Sequence, residues 1–244
     1  MTYLSGPVLA EYQDLFSSTT TQGGPNGGLN LGAKAYTGDG REFRFSLAGA
    51  VSYVPGKLYQ GPAETTAWEN VAVAAAAKGA TTVTLTASLT LTANILAGGY
   101  LIVGVTPGQG YQYQIVANTA VSSAANCVVT LADPIQVALT TSSTVVVMAS
   151  PYSGCILVPT TPTAISTGVP VTIVTNAQYG WLQVTGIAAV LSDDALTIGT
   201  ALVPSDTVSG AVTPLAAAAT LAVVGTAAQT STDTDYQAVW LNIG

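Results

Sequence analysis

Residues 82–93, TVTLTASLTLTA, place Val83, Leu85, Leu89 and Leu91 at alternate positions with threonines between them. A period of two belongs to a strand with one buried face, because successive side chains of extended backbone point to opposite sides. REFRFSL (41–47) repeats the pattern: Phe43, Phe45 and Leu47 face one way, Glu42, Arg44 and Ser46 the other. So does YQYQIV (111–116), where Tyr111, Tyr113 and Ile115 oppose Gln112 and Gln114. Apolar runs predict further strands at GGYLIVG (98–104), CVVTL (127–131) and STVVVMA (143–149). Beyond residue 150 follow GCILVP, VPVTIVT, YGWLQVTG, IAAVL, LTIGTALVP, TLAVVGTA and YQAVWLNI. Turn residues separate them at roughly the 8–12-residue spacing of a sandwich or barrel. AVAAAAK (72–78) is the only helical reading, and it is too short to stand alone.

These elements predict an all-β protein in four parts: an extended N-terminal arm (1–35), a β segment (36–69), a central β module (70–150) and a C-terminal small β-barrel or sandwich (151–244). The arm is assigned from SSTTTQGGPNGGLNLG (17–32), whose Gly, Thr and Asn offer little apolar surface against the cost of ordering. Its tip carries Tyr3, Leu4, Val8, Leu9, Tyr12, Leu15 and Phe16, which predicts docking against a neighbour.

Composition narrows the function. Charged residues are 7% of the chain, against about 25% in an ordinary soluble domain. All five cations (Lys34, Arg41, Arg44, Lys57 and Lys78) lie in the first third, among six carboxylates; residues 79–244 hold six carboxylates and no cation. Nucleic-acid binding needs clustered Lys and Arg to displace counterions, so DNA and RNA are excluded as main ligands, and anionic membrane surfaces likewise. No purely apolar stretch reaches the ~18 residues of a spanning helix. The N-terminus has no basic run and carries Glu11 and Asp14 early, unlike a secretory signal, so synthesis and retention in the cytoplasm are expected. Cys127 and Cys155 match no metal or redox spacing; they read as two small buried hydrophobes, with a disulfide as the alternative.

The chain has no histidine, and with it go the usual general base, the commonest metal ligand and any Ser-His-Asp triad. The carboxylates Asp193 and Asp194 are adjacent, so their side chains diverge on a strand. Asp233 and Asp235 share a face if extended, but read as a solvated turn. No catalytic residue, cofactor or metal is expected, and the protein is read as a non-enzyme.

GDGREFRFSLAGA and PGKLYQGP, then YQYQIVAN and DPIQVALTTSSTV, then QYGWLQVTGIAAVL and VVGTAAQTSTDTDYQAVWLNI carry a resemblance over residues 36–244. In that order they resemble the capsid decoration, or head-stabilising cement, proteins of tailed bacteriophages. The resemblance implies a structural virion protein on the outer capsid surface, made in the host bacterial cytoplasm. It would bridge capsomers of the major capsid protein as a homotrimer. On that reading Lys34, Arg41, Arg44 and Lys57 meet acidic capsid groups, together with Tyr3, Tyr12 and Phe16 of the arm, and the 36–69 segment either contacts the capsid or packs on the C-terminal domain. Arg41 and Arg44 balancing Asp39 and Glu42 locally is the competing account. Tyr179, Trp181 and Trp240 are subunit-interface candidates. The alternative function is a receptor- or glycan-binding β module of a fibre or adhesin, which the Thr-rich strands and 11 tyrosines also suit.

Overall fold

Two units divide the chain: Met1–Ala63 with Pro151–Gly244 form one, and Glu64–Ser150 the other. The computed structural model describes residues 8–9, 15–19, 29–86, 90–122, 125–216, 221–232 and 235–243. Nearly all of its regular structure is strand. The first unit begins with β1 (Val8–Leu9), β2 (Lys34–Tyr36), β3 (Glu42–Ala48) and β4 (Tyr59–Gln60). The second holds β5 (Val71–Ala72), β6 (Thr82–Leu85), β7 (Tyr100–Val103), β8 (Gln112–Asn118), β9 (Cys127–Leu131) and β10 (Thr144–Met148). The chain then returns to the first unit with β11 (Ser153–Leu157), β12 (Ser166–Pro170), β13 (Tyr179–Leu191), β14 (Ala201–Pro204), β15 (Val212–Pro214), β16 (Gly225–Ala227) and β17 (Tyr236–Asn242).

The unit boundaries differ from the expected ones. Residues 36–63 pack with the C-terminal strands, the second of the two expectations for that segment, and so 151–244 are no separate barrel. β3 pairs in parallel with β11 and antiparallel with β13, and β4 lies between β11 and β12. With the β12–β13 pairing this closes a ring, β3-β11-β4-β12-β13. A second ring runs β13-β17-β16-β14-β15 and closes where Ser192, next after β13, bridges Val212 of β15. Closure removes the open edges that a strand-rich, charge-poor chain would otherwise expose.

Strand β13 serves both rings, so YGWLQVTG and IAAVL are one strand rather than two. Residues 179–185 pair with β3 and 185–191 with β17, the handover falling at Thr185. Gly186, at φ +89°, follows directly, and the buried Gln183 spans the change of partner. Its amide nitrogen donates to the carbonyls of Thr185 (3.1 Å) and Ile187 (2.8 Å). Ring interiors follow the alternation. Ala48, Tyr53, Tyr59, Cys155, Val174 and Leu182 fill one, and a cluster including Val184, Val190, Leu202, Val212, Val239 and Leu241 fills the other.

The outer face of β3 and β13 is also apolar, with Phe43, Phe45 and Trp181, and the N-terminal segments cover it. Leu15 is fully buried there, with Leu29, Leu31 and Ala33 packed around it. Thr19 and Tyr179 exchange backbone hydrogen bonds of 3.0 and 2.8 Å. The described parts of the arm therefore pack on their own chain. Pattern reading at 17–32 weighed local composition alone and had no view of the apolar face awaiting cover.

In the second unit the order is β5-β10-β7-β8-β9-β6, and a bridge from Val73 to Leu85 closes it as a third ring. Val83, Leu101, Ile115, Val129 and Val147 are among its interior side chains. AVAAAAK is not helical: Val71 and Val73 point inward, and Ala76 bridges Leu139. Seven residues form too few helical bonds to offset nucleation, whereas extended backbone joins two ready neighbours. TVTLTASLTLTA yields β6, then a bridge from Leu91 to Val121 and turns over 93–98; Leu89 lies outside the described residues. The buried Asn118 holds those turns: Leu96 N donates to its Oδ1 (2.9 Å), and its Nδ2 donates to Thr92 O (3.0 Å).

Candidate functional site

Three of the four expected contact cations, Lys34, Arg41 and Arg44, lie on one hairpin, and Lys57 lies after it. β2 and β3 pair in a register that sets Lys34 opposite Arg44 and Tyr36 opposite Glu42. Lys34 Nζ lies 2.8 Å from Glu42 Oε1, and Arg44 Nη2 lies 3.9 Å from the same oxygen. Arg44 Nη1 donates to Gly32 O (3.0 Å), and its guanidinium sits over the Tyr152 ring. Arg41 Nε donates to Asp39 Oδ2 (2.8 Å) and stacks over Phe43, 5.6 Å from the ring centre. The Glu42 hydrogen bond holds the Lys34 ammonium above its ordinary pKa. The Thr37 hydroxyl, then Arg41, hold the Asp39 carboxyl below its own. These contacts match the local-balance account of Arg41 and Arg44. Lys34 and Asp39 are open to solvent, so the Lys34–Glu42 and Arg41–Asp39 pairs contribute little to stability, while Arg44 and Glu42 are largely covered. Among the described residues Lys57 and Lys78 form no ion pair.

The aromatic candidates separate. Trp181 is 6% exposed and meets Phe45 edge-on, with ring centres 5.2 Å apart. It is buried in the first unit, because β13 turns it toward the face that Leu15 covers. Tyr179 stacks on Phe45 and is half-buried. Trp240 is exposed by 53%. Phe16 is exposed beside the buried Leu15. Tyr3 and Tyr12 lie outside the described residues.

Two exposed apolar surfaces of the first unit were not legible as sites. One is a tip. The Tyr53–Val174 bridge brings the loops 51–54 and 173–176 together, and Val51, Val54 and Ile173 stand out of it, Ile173 by 67%. Buried tyrosine chemistry fixes this tip. Tyr59 Oη accepts from Val54 N (2.8 Å) and donates to Ser52 O (2.9 Å). Beneath it Tyr53 Oη donates to Ser46 Oγ (2.9 Å), which donates to Gly180 O (3.1 Å). Tyr53 meets Tyr59 at 4.7 Å between ring centres. Burial raises the pKa of both phenols.

The other surface is the outer face of β13 and β17. Ile187 and Trp240 are cross-strand partners, 46% and 53% exposed. Beside them opens a cleft of about 240 Å³, lined by Pro55, Pro170, Val171, Ile187 and Ala189, with Arg41 at its wall. Leu191 N donates to Gly56 O (2.8 Å) while Leu191 pairs with Tyr236. The cleft and β17 therefore take opposite edges of β13.

The aspartates are structural. Asp193 Oδ2 accepts from the hydroxyls of Ser205 and Thr207, tying the end of β13 to the loop after β14. Asp194 Oδ1 accepts from Ala195 N (2.8 Å), so the two carboxylates, which lie in a bend after β13, take separate partners. Asp233 lies outside the described residues. Among the described residues no three His, Cys, Asp or Glu side chains converge on a metal-sized space, and no helix is long and apolar enough to cross a membrane. Cys127 and Cys155 are free buried thiols in different units. Comparison with known proteins finds no family model, no curated protein and no solved structure that matches this chain.

Proposed function

We propose that the protein is a structural component of a tailed-phage virion. It binds the outer surface of the capsid, bridges neighbouring copies of the major capsid protein and self-associates there. It works by cumulative adhesion, without bond-making chemistry. The tip of Val51, Val54 and Ile173 carries this reading. Single exposed hydrophobes are ordinary, but Val54 and Ile173 flank the Tyr53–Val174 bridge with Val51 in the same loop, and Tyr59 pins that loop, which supports an adhesive surface here. The charge pattern supports an outward position: residues 79–244 carry six carboxylates and no cation, which suits a surface facing solvent better than one facing packaged DNA. With Lys34, Arg41 and Arg44 held by Glu42 and Asp39, apolar contact takes the leading part that the sequence reading gave to the cations.

The test is co-sedimentation with empty capsids of the encoding phage. Val54→Asp with Ile173→Asp puts two charges on the tip without touching a buried group, and is expected to weaken binding at least tenfold while the thermal transition stays in place. Unchanged binding removes the tip. Specific retention on a glycan array, with no binding to capsids, favours the receptor-binding alternative.

A further inference from the structure

We infer that the cleft beside β13 receives Trp240 of a second copy of this chain, in a reciprocal two-fold pair. This goes beyond the capsid reading, which holds or fails without it, and it differs from the three-copy assembly that the family resemblance implies.

The size of the cleft comes first. Small-molecule sites span about 300–1,000 Å³, whereas this cleft is about 240 Å³ and walled by Pro55, Pro170, Val171, Ile187 and Ala189. It suits one large side chain better than a ligand. Trp240 is that side chain: an indole half exposed on a strand face, next to Ile187, which itself lines the cleft.

The placement of knob and cleft gives the symmetry. They flank β13, with β17 on one edge and Gly56 on the other. A two-fold axis lying along β13, between two copies set face to face, exchanges these flanks. Each Trp240 then meets the other copy's cleft, and both insertions form in a single isologous contact. A ring of three makes only one insertion per contact and gives no use to the closeness of knob and cleft.

Charge permits the contact. The cross-strand neighbours Ile187, Ala189, Leu191, Ala238, Trp240 and Asn242 are all uncharged, so two chains of net charge −7 meet on neutral ground. The charged group in the cleft wall is Arg41, which already lies over Phe43 and has Asp39 as partner. A guanidinium beside an incoming indole is a favourable cation–π arrangement. The area sets the strength. An aromatic side chain buries about 150–250 Å² and about half of Trp240 is already covered, so one indole given and one received, with the Ile187 rim, amount to roughly a third of the ~800 Å² per partner in a standard interface. The pair is therefore weak and shifts with concentration.

Sedimentation velocity on the full chain, from about 1 to 300 μM, reads the mass directly. The expected result is a reversible shift from one copy to two. Trp240→Ala and Ile187→Glu are each expected to leave one copy throughout. Arg41→Met, which keeps the stem beside Gly186, is expected to weaken the pair by about fivefold. Unchanged thermal transitions guard against misfolding. As a second readout, Trp240→Cys with Pro55→Cys under mild oxidation is expected to give a disulfide-linked two-copy product. One copy at all concentrations, three copies, or pairing that survives Trp240→Ala overturns the inference. None of these results bears on capsid binding, which the tip variant tests separately.

Discussion

Gly186 lies directly against Arg41: a Cβ on Gly186 would stand 3.0 Å from Arg41 Cγ and 3.3 Å from its Cα. Its φ is +89°, a conformation that glycine alone holds cheaply. The position sits where β13 passes from β3 to β17. Gly186→Ala is therefore expected to cost about 1–3 kcal/mol, read as a lower denaturation midpoint for the first unit with little change in slope.

A companion substitution tests the division into two units. The buried Asn118 bonds Leu96 N and Thr92 O within the second unit. Asn118→Ala leaves those groups unpaired, at about 1–3 kcal/mol. Calorimetry is expected to show two transitions, with Gly186→Ala lowering one and Asn118→Ala the other. One shared transition that both variants move equally contradicts the division.

The interior of the second unit was legible because alternation states which side chains go inward: Val83, Leu85, Tyr113 and Ile115 are buried as their pattern requires; in β3 the alternation marks Phe43 and Phe45 as buried, but on the outer face, while Ser46 goes in and Leu47 stays half-buried. The insertion was not legible. No pattern local to 36–63 says that Glu42–Ala48 will pair with residues 179–185, more than 130 positions later. Composition at 17–32 suggested an arm, and the cover that Leu15 and Leu29 provide depends on Phe43, Phe45 and Trp181 meeting in space. The cleft shares that distant origin, since Pro55, Pro170 and Ile187 come from three separate stretches. Trp181 and Trp240 sit in similar β patterns, and the cover that Leu15 provides buries the first while the second stays exposed.

Tyr59→Phe removes the hydroxyl that holds both Val54 N and Ser52 O. The expected loss of stability is about 1–2 kcal/mol. Because the tip loses its support while keeping its apolar side chains, capsid binding is expected to weaken along with it. Hydrogen exchange at Val54 is the direct check, and faster exchange there is the predicted outcome.

Alkaline pH tests the buried thiol. Burial pushes the pKa of Cys155 up to about 11 from an ordinary 9.0, and burial raises that of Tyr53 as well. Above pH ~9 the unfolded chain releases these protons while the folded chain retains them, so unfolding gains on folding. Stability is expected to be level below pH 9 and to fall by about 2 kcal/mol by pH 11 from the cysteine alone, with Tyr53 adding in the same direction. Cys155→Ala should flatten part of that slope. A thiol reagent at pH 8 is expected to label neither cysteine until the protein unfolds, since both are buried.

The account rests on adhesion to a capsid, and the most direct measurement is a binding isotherm of the purified chain on empty, expanded capsids of its own phage, read by sedimentation. Saturation at a fixed ratio of this chain to the major capsid protein is the predicted result. A chain that stays in the supernatant at every ratio, with the capsids intact, contradicts it.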